Sequence, residues 1–189
     1  MRVIAGEAGS IRLLTPKGTR LRPTSDAVRE SLFSSLGPDV AGLRFLDAYA
    51  GTGAVGIEAL SRGAAECVFI ERDRHCVEAI RRNLANTRLT SRATIVAGDA
   101  KRLIDRVLAA HGPFDLAFVD PPYADREAVS VARRVLEAGL TPEAGRLIYQ
   151  HSKDAPPEGL PEPDRTRAFG ETVLSWYRSG KGGGEDGGE

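Results

Sequence analysis

Cysteine is nearly absent. The chain has two, Cys67 and Cys76, without CxxC spacing, which excludes a disulfide framework and leaves no thiolate cluster for structural zinc. Its three histidines, His75, His111 and His151, are scattered and share no ligand spacing with the cysteines, so no metal is expected. No run of 18 apolar residues occurs, and the N-terminus lacks a continuous apolar segment. Both absences argue against a membrane span or an export signal and point to a reduced, cytoplasmic protein. Net charge is missing too: 26 Lys+Arg balance 26 Asp+Glu, so the global count announces no polyanionic partner. Only four of those 26 basic residues are lysines, and an arginine excess suits planar, bidentate phosphate contacts.

What is present is a globular composition, 41% hydrophobic and 28% charged in 189 residues, enough for one domain with a sizeable core. Residues 2–6 and 11–14 are short apolar runs around Glu7-Ala8-Gly9-Ser10, the pattern of a hairpin or of two edge strands. A polar link then leads to a helix that Thr24 or Ser25 can cap. Val28, Leu32, Phe33 and Leu36 share one face of it, and Gly37-Pro38 ends it. From Met1 to Gly37, Arg2, Arg12, Lys17, Arg20, Arg22 and Arg29 face only Glu7, Asp26 and Glu30. This local excess makes residues 1–37 a candidate arm for a nucleic-acid backbone.

From Leu43 strand and helix patterns alternate. Strands are expected at about 43–48, 66–71, 93–97, 114–119 and 146–150, and helices at about 54–62, 73–87, 100–110 and 125–138. Such alternation predicts an α/β domain over 38–179 with a mostly parallel sheet covered on both faces. Two runs around Gly170-Glu171, 165–169 and 172–177, predict a closing antiparallel pair. Residues 180–189, without apolar content, predict a disordered tail.

The chemistry gathers at the carboxyl ends of the expected strands, where open α/β sheets bind ligands. Asp47 ends the first strand, and Gly51, Gly53 and Gly56, with Thr52 between, match G-x-G-x-x-G before a helix. Glu71 ends the second, 20 residues after Gly51, where a carboxylate can hold ribose hydroxyls; Arg72 adjoins it. Asp99 and Ala100 follow the third. A dinucleotide pyrophosphate is disfavoured beside so many carboxylates, whereas the cationic amino and sulfonium groups of S-adenosylmethionine are favoured. The fourth strand ends in Asp120-Pro121-Pro122-Tyr123. This is a stiff turn presenting a carboxylate and a ring to a flat, amine-bearing group.

Asp47 to Ala65 resembles motif I of class I methyltransferases, and Asp120-Pro121-Pro122-Tyr123 resembles their amino-methylating motif IV. With Leu21 to Phe33 upstream, the chain is similar over about residues 2–178 to the bacterial 16S ribosomal RNA guanine-N2 methyltransferases. The resemblance implies a seven-stranded Rossmann-like sheet and an N-terminal β-hairpin that helps to hold RNA. It also implies methylation of one guanine of 16S rRNA during ribosome assembly; a small-subunit assembly particle, with naked rRNA as the other substrate, and a monomeric state are the accompanying expectations. Asp120, Pro121, Pro122 and Tyr123 would be catalytic, and Arg2, Arg12, Arg20, Arg22 and Arg29 would contact RNA. One departure is His151, two residues after Tyr149, where the family suggests a glutamate. An amino-methyltransferase of adenine N6 or cytosine N4, a non-catalytic RNA-binding assembly factor and a nicotinamide dehydrogenase are the alternatives.

Overall fold

The computed structural model describes residues 1–16, 25–122, 125–142 and 144–180. Thr24 and the expected tail beyond residue 180 lie outside these. Five strands lie parallel: β1 (Arg44–Ala48), β2 (Glu66–Glu71), β3 (Ala93–Ala97), β4 (Leu116–Val119) and β5 (Arg146–Ser152). Strands β6 (Arg165–Phe169) and β7 (Thr172–Arg178) continue the sheet antiparallel, in the order β3-β2-β1-β4-β5-β7-β6. Chain direction therefore reverses its progress between β1 and β4, the switch point at which such sheets open a crevice.

Period-two alternation sends successive side chains to opposite faces. Phe45, Phe69, Phe118 and Ile148 pack with α1 (Asp26–Leu36), α2 (Ala54–Ser61) and α3 (Arg74–Thr87). Leu46, Val68, Ala117 and Leu147 pack with α4 (Ala100–His111) and α5 (Val129–Arg134). Each such aliphatic or aromatic side chain contributes about 1.5–3 kcal/mol when fully buried. Both cysteines are buried and free, Cys67 in β2 and Cys76 in α3. Ser25 caps α1, its Oγ accepting from Val28 N at 3.3 Å. The expected helix over 125–138 is broken into a 3-10 turn (Arg126–Ala128), α5, and a wide π turn (Val135–Gly139). That last turn leaves the Gly139 carbonyl accepting from Phe114 N at 2.8 Å.

The N-terminal segment is held both by its own backbone and by the helices beneath it. Residues 2–6 and 11–14 form a short hairpin with one antiparallel bridge, Arg2 opposite Arg12, in which Val3 N donates to the Ile11 carbonyl (3.0 Å) and Leu13 N to that of Met1 (3.2 Å). Side chains of the helices take further backbone donors. Glu58 of α2 accepts from Ile4 N (2.7 Å) and Ala5 N (3.0 Å), Ser61 Oγ from Ala8 N (3.0 Å), and Asn83 Oδ1 of α3 from Leu14 N (2.7 Å). A Cβ on Gly6, at φ 84°, would stand 1.9 Å from the Ser61 carbonyl oxygen, so the turn sits directly on the end of α2. Val3, Ala8 and Leu13 complete the attachment by joining the same core as α1 to α3.

Candidate active site

The loop after β1 is held from three sides. Beneath it Asp47, 2% exposed, accepts a hydrogen bond from Gly56 N at 2.9 Å. Glu71 at the end of β2 receives Gly51 N on one oxygen (2.7 Å) and Asp73 N on the other (2.8 Å). Asn83 of α3 donates to the Thr52 carbonyl at 3.1 Å. Gly51 and Gly53 both adopt left-handed backbone, φ 56° and 77°, and Gly53 caps α2. Only a glycine takes up such a conformation at little cost. Tyr49 nevertheless does so at φ 65°, and its hydroxyl is buried without a hydrogen-bond partner among the described residues.

Carboxylates gather at this edge and act on the groups buried beside them. Burial pushes the Asp47 carboxyl up from its ordinary 3.8 to about 8, the Gly56 N–H opposes the rise, and the fields of Asp120 and Glu71 add to it. The Tyr49 phenol is raised by burial and then by Asp125 and Asp99, with Arg72 pulling the other way. Tyr149 of β5 is raised by burial and then by Asp120 and Asp125. Asp47 thus lies in the fields of Asp120 and Glu71, Tyr49 in those of Asp125 and Asp99, and Tyr149 in those of Asp120 and Asp125. Lys101 of α4 answers part of this charge, Nζ standing 3.1 Å from Asp125 and 3.2 Å from Glu127.

A buried carboxylate short of a counter-charge, an unsatisfied phenol and a glycine loop with a ribose-accepting glutamate beside it fit a cationic nucleoside. The donor set fits S-adenosylmethionine, whose ammonium and sulfonium would relieve the repulsion that a pyrophosphate would worsen.

Asp120 follows β4 directly, its N–H directed to the Ala48 carbonyl at 3.4 Å. Pro121 is buried and Pro122 exposed, and the Pro122 carbonyl accepts from Asp125 N at 2.8 Å. Tyr123 lies outside the described residues, as do Arg20 and Arg22. Asp99 caps α4 through Lys101 N at 2.9 Å, Ala100 is buried at the first position of that helix, and Arg72 is exposed. Arg2 and Arg12 are exposed and face each other across their bridge.

Two expectations need correction. Arg29 is not an RNA-facing arginine: it is 0% exposed, donates to the Arg2 carbonyl (2.8 Å) and Asp26 (2.7 Å), and pairs with the equally buried Glu58 at 3.6 Å. Gly56 is a packing glycine and not a ligand contact, since a Cβ there would meet the Phe69 ring at 2.3 Å and the Cys67 sulfur at 2.6 Å. Its hydrogen lets α2 lie close on β2. The residues that sequence patterns did not single out are Tyr49, Tyr149, Asp125 and Lys101. The placement of Tyr49 beside the glycine loop was the available signal.

His151 is accounted for internally. Its Nδ1 lies 2.8 Å from the Ser152 carbonyl oxygen and its Nε2 2.9 Å from Ser175 Oγ. The carbonyl can only accept, so Nδ1 carries the proton and Nε2 accepts from the serine. Burial holds the imidazole below its usual range, in keeping with this neutral form.

The family model described as conserved hypothetical protein 95 matches residues 1–178. The chain is 34% identical to YlbH of Bacillus subtilis over 181 residues, 94% of this chain and 98% of that one. It is 32% identical to the ribosomal RNA small subunit methyltransferase D of Haemophilus influenzae, across 86% of this chain and 83% of that one. Among solved structures, a hypothetical protein of Thermus thermophilus superposes with a TM-score of 0.80 at 32% identity, covering 93% and 98% of the two chains. Matched along nearly all of its length, the chain belongs to the conserved hypothetical protein 95 family, that of the ribosomal RNA small subunit methyltransferase D proteins.

Proposed function

We propose that this protein transfers a methyl group from S-adenosylmethionine to the exocyclic N2 of a guanine in 16S ribosomal RNA, with an assembling small subunit as the substrate. The observation that carries the reading is the convergence of Asp47, Glu71 and Asp120 at the carboxyl edge beside the β1–β4 switch point. Small-subunit rRNA is supported by the name of the Haemophilus relative, and guanine N2 by the resemblance of the Asp120 turn and the segment before α1. Residues 38–179 form the donor-binding catalytic part, and 1–37 the part that meets RNA.

S-adenosylmethionine supplies a methyl group activated by its positive sulfur. Asp47 would hold the donor's ammonium, Glu71 its ribose, and Asp99 and Ala100 its base. Guanine N2 is a weak nucleophile because its lone pair is delocalised into the ring. Asp120 and the Pro121 carbonyl each accept a hydrogen from that amino group, which holds the nitrogen and turns its lone pair towards the methyl; positioning is the main device. When bound, the donor would supply the methyl and leave as the neutral thioether, with the electron pair of the old bond. Asp120 stabilises the positive charge growing on nitrogen and accepts its proton or passes it to water. Stacking on Tyr123 offsets part of the cost of taking the base out of its stack, about 1–3 kcal/mol.

The test is transfer of labelled methyl to small-subunit particles from cells lacking the protein, with the product mapped by mass. Asp120→Ala is expected to abolish turnover while calorimetric donor binding survives. Undiminished methylation by that variant would remove Asp120 from the mechanism.

A further inference from the structure

Strand β6 forms a free edge of the sheet, and its residues Arg165, Thr166, Arg167 and Ala168 are exposed. Period two puts Arg165, Arg167 and Phe169 on one side of it. There the Arg165 guanidinium lies over the Trp176 ring, 5.2 Å from its centroid, and that of Arg167 over Phe169 at 5.3 Å. Trp176 belongs to the core under α1 to α3 and Phe169 packs against it, so each guanidinium rests on a fixed ring. Such stacking holds a cation in place without neutralising it. Arg44 and Arg62 also lie over rings, but each is paired with a carboxylate, Glu66 at 2.6 Å and Glu58 at 2.8 Å. Among the described residues neither Arg165 nor Arg167 has an ion pair, and the adjacent Asp164 is taken by Arg178 at 3.8 Å. Two ordered, uncompensated positive charges therefore stand at alternate positions of an extended strand, about 6.8 Å apart along it.

Register relates this pair to the reaction. Arg167 is opposite Leu174 of β7, and Leu174 is opposite Gln150 of β5. Val119 of β4 is opposite Tyr149, so the next residue, Asp120, falls level with Gln150. Arg167 thus shares a row with Asp120, three strand spacings or about 14 Å away. The side of the sheet is shared as well. Phe118, Ile148, Leu174 and Trp176 line one core, and the segment carrying Arg2 and Arg12 joins that core through Val3, Ala8 and Leu13. That segment is held by α2 and α3, which lie on β1 to β3, whereas β6 is at the opposite edge; β4 and Asp120 lie between.

We infer that the β6 edge is a second contact for RNA, in which Arg165 and Arg167 hold neighbouring phosphates of the strand whose base enters at Asp120. This rests on the function proposed above and adds how the substrate is aligned. The strand is gripped on both sides of Asp120, by Arg2 and Arg12 on one and by β6 on the other. A guanidinium can fork onto phosphate oxygens through its edge while its face stays on a ring.

The experiment measures binding of small-subunit particles, taken from cells lacking the protein, as KCl is raised at fixed magnesium. Replacing both arginines, Arg165→Gln with Arg167→Gln, should lower the slope of log K against log salt by about 1.4–1.8, the release of counterions from two phosphates. Donor affinity by calorimetry should hold. Arg165→Lys with Arg167→Lys keeps both charges and should restore most of the slope. An unchanged slope in the glutamine variant would overturn the inference by making the pair solvated edge residues, and its dimerisation with the slope kept would mean that the charges only guard the free edge. A lysine variant as weak as the glutamine one would overturn it too, because the effect would then be structural. These outcomes leave methyl transfer by the wild-type protein intact. Failure of the wild-type protein to methylate the particles would instead overturn the proposed function, and this inference with it.

Discussion

Asp47 is a carboxylate that its surroundings hold close to neutrality. Between its ordinary 3.8 and its folded value of about 8, the native protein keeps a proton that the unfolded chain has released. The contribution of this group to stability is therefore greatest at the acid end of that window and declines as pH rises towards 8. Donor binding runs the opposite way, because an ammonium pairs with the ionised carboxylate. Affinity for S-adenosylmethionine should rise by up to about tenfold per pH unit between 6 and 7.5 as the proton is displaced. Calorimetry across that range is the measurement, with Asp47→Asn expected to bind weakly and without the slope. An affinity independent of pH in the wild-type protein would separate Asp47 from the donor's amino group. The aspartate was visible in the sequence as the end of a strand; its proton was not, since that depends on burial and on two carboxylates brought from β2 and β4.

At the scale of elements, the N-terminal segment and α2 are joined through one glutamate. Glu58, fully buried, accepts from two backbone amides of the segment and from Arg62 Nε at 2.8 Å, and it neutralises the buried Arg29 of α1. Glu58→Ala leaves the buried Arg29 with Asp26 alone of its two ion-pair partners and strips the Ile4 and Ala5 amides of their acceptor, and is expected to cost about 3–5 kcal/mol, read as a lowered urea midpoint. The amides of Ile4 and Ala5 should then lose hydrogen-exchange protection before the rest of the sheet. A change below about 1 kcal/mol, the worth of a surface pair, would mean that water replaces Glu58 without penalty. Arg29 carried a legible signal: with Phe33 and Leu36 it lies at i, i+4 and i+7, on the apolar face of α1. Its sign of charge suggested an RNA arm, whereas its helical position agreed with the core. Gly56 shows the same division. A G-x-G-x-x-G pattern places three glycines near a ligand, but only the approach of α2 to Phe69 and Cys67 separates the packing glycine from the loop glycines.

For the molecule as a whole, the sheet order puts β1 and β4 side by side and so joins two motifs far apart in the chain, the glycine loop and the Asp120 turn. The exposed bridge pair Arg2 and Arg12 lies at the other end of the proposed division of labour. Replacing both with serine should make RNA binding less steep in salt, lowering the slope of log K against log salt by about 1.4–1.8, with donor affinity unchanged. An unaltered slope would make them solvated surface residues. The sequence by itself determined the order and kind of the core elements, the acidic strand ends and the chemistry of the Asp120 turn, because periodicity, turn residues and charge are local properties. Only the tertiary structure decided which polar groups are spent on the fold and which remain for a ligand. Glu58 and His151 find their partners within the chain, whereas among the described residues Asp47 lacks a counter-charge. That difference depends on which distant segments come to lie against each side chain.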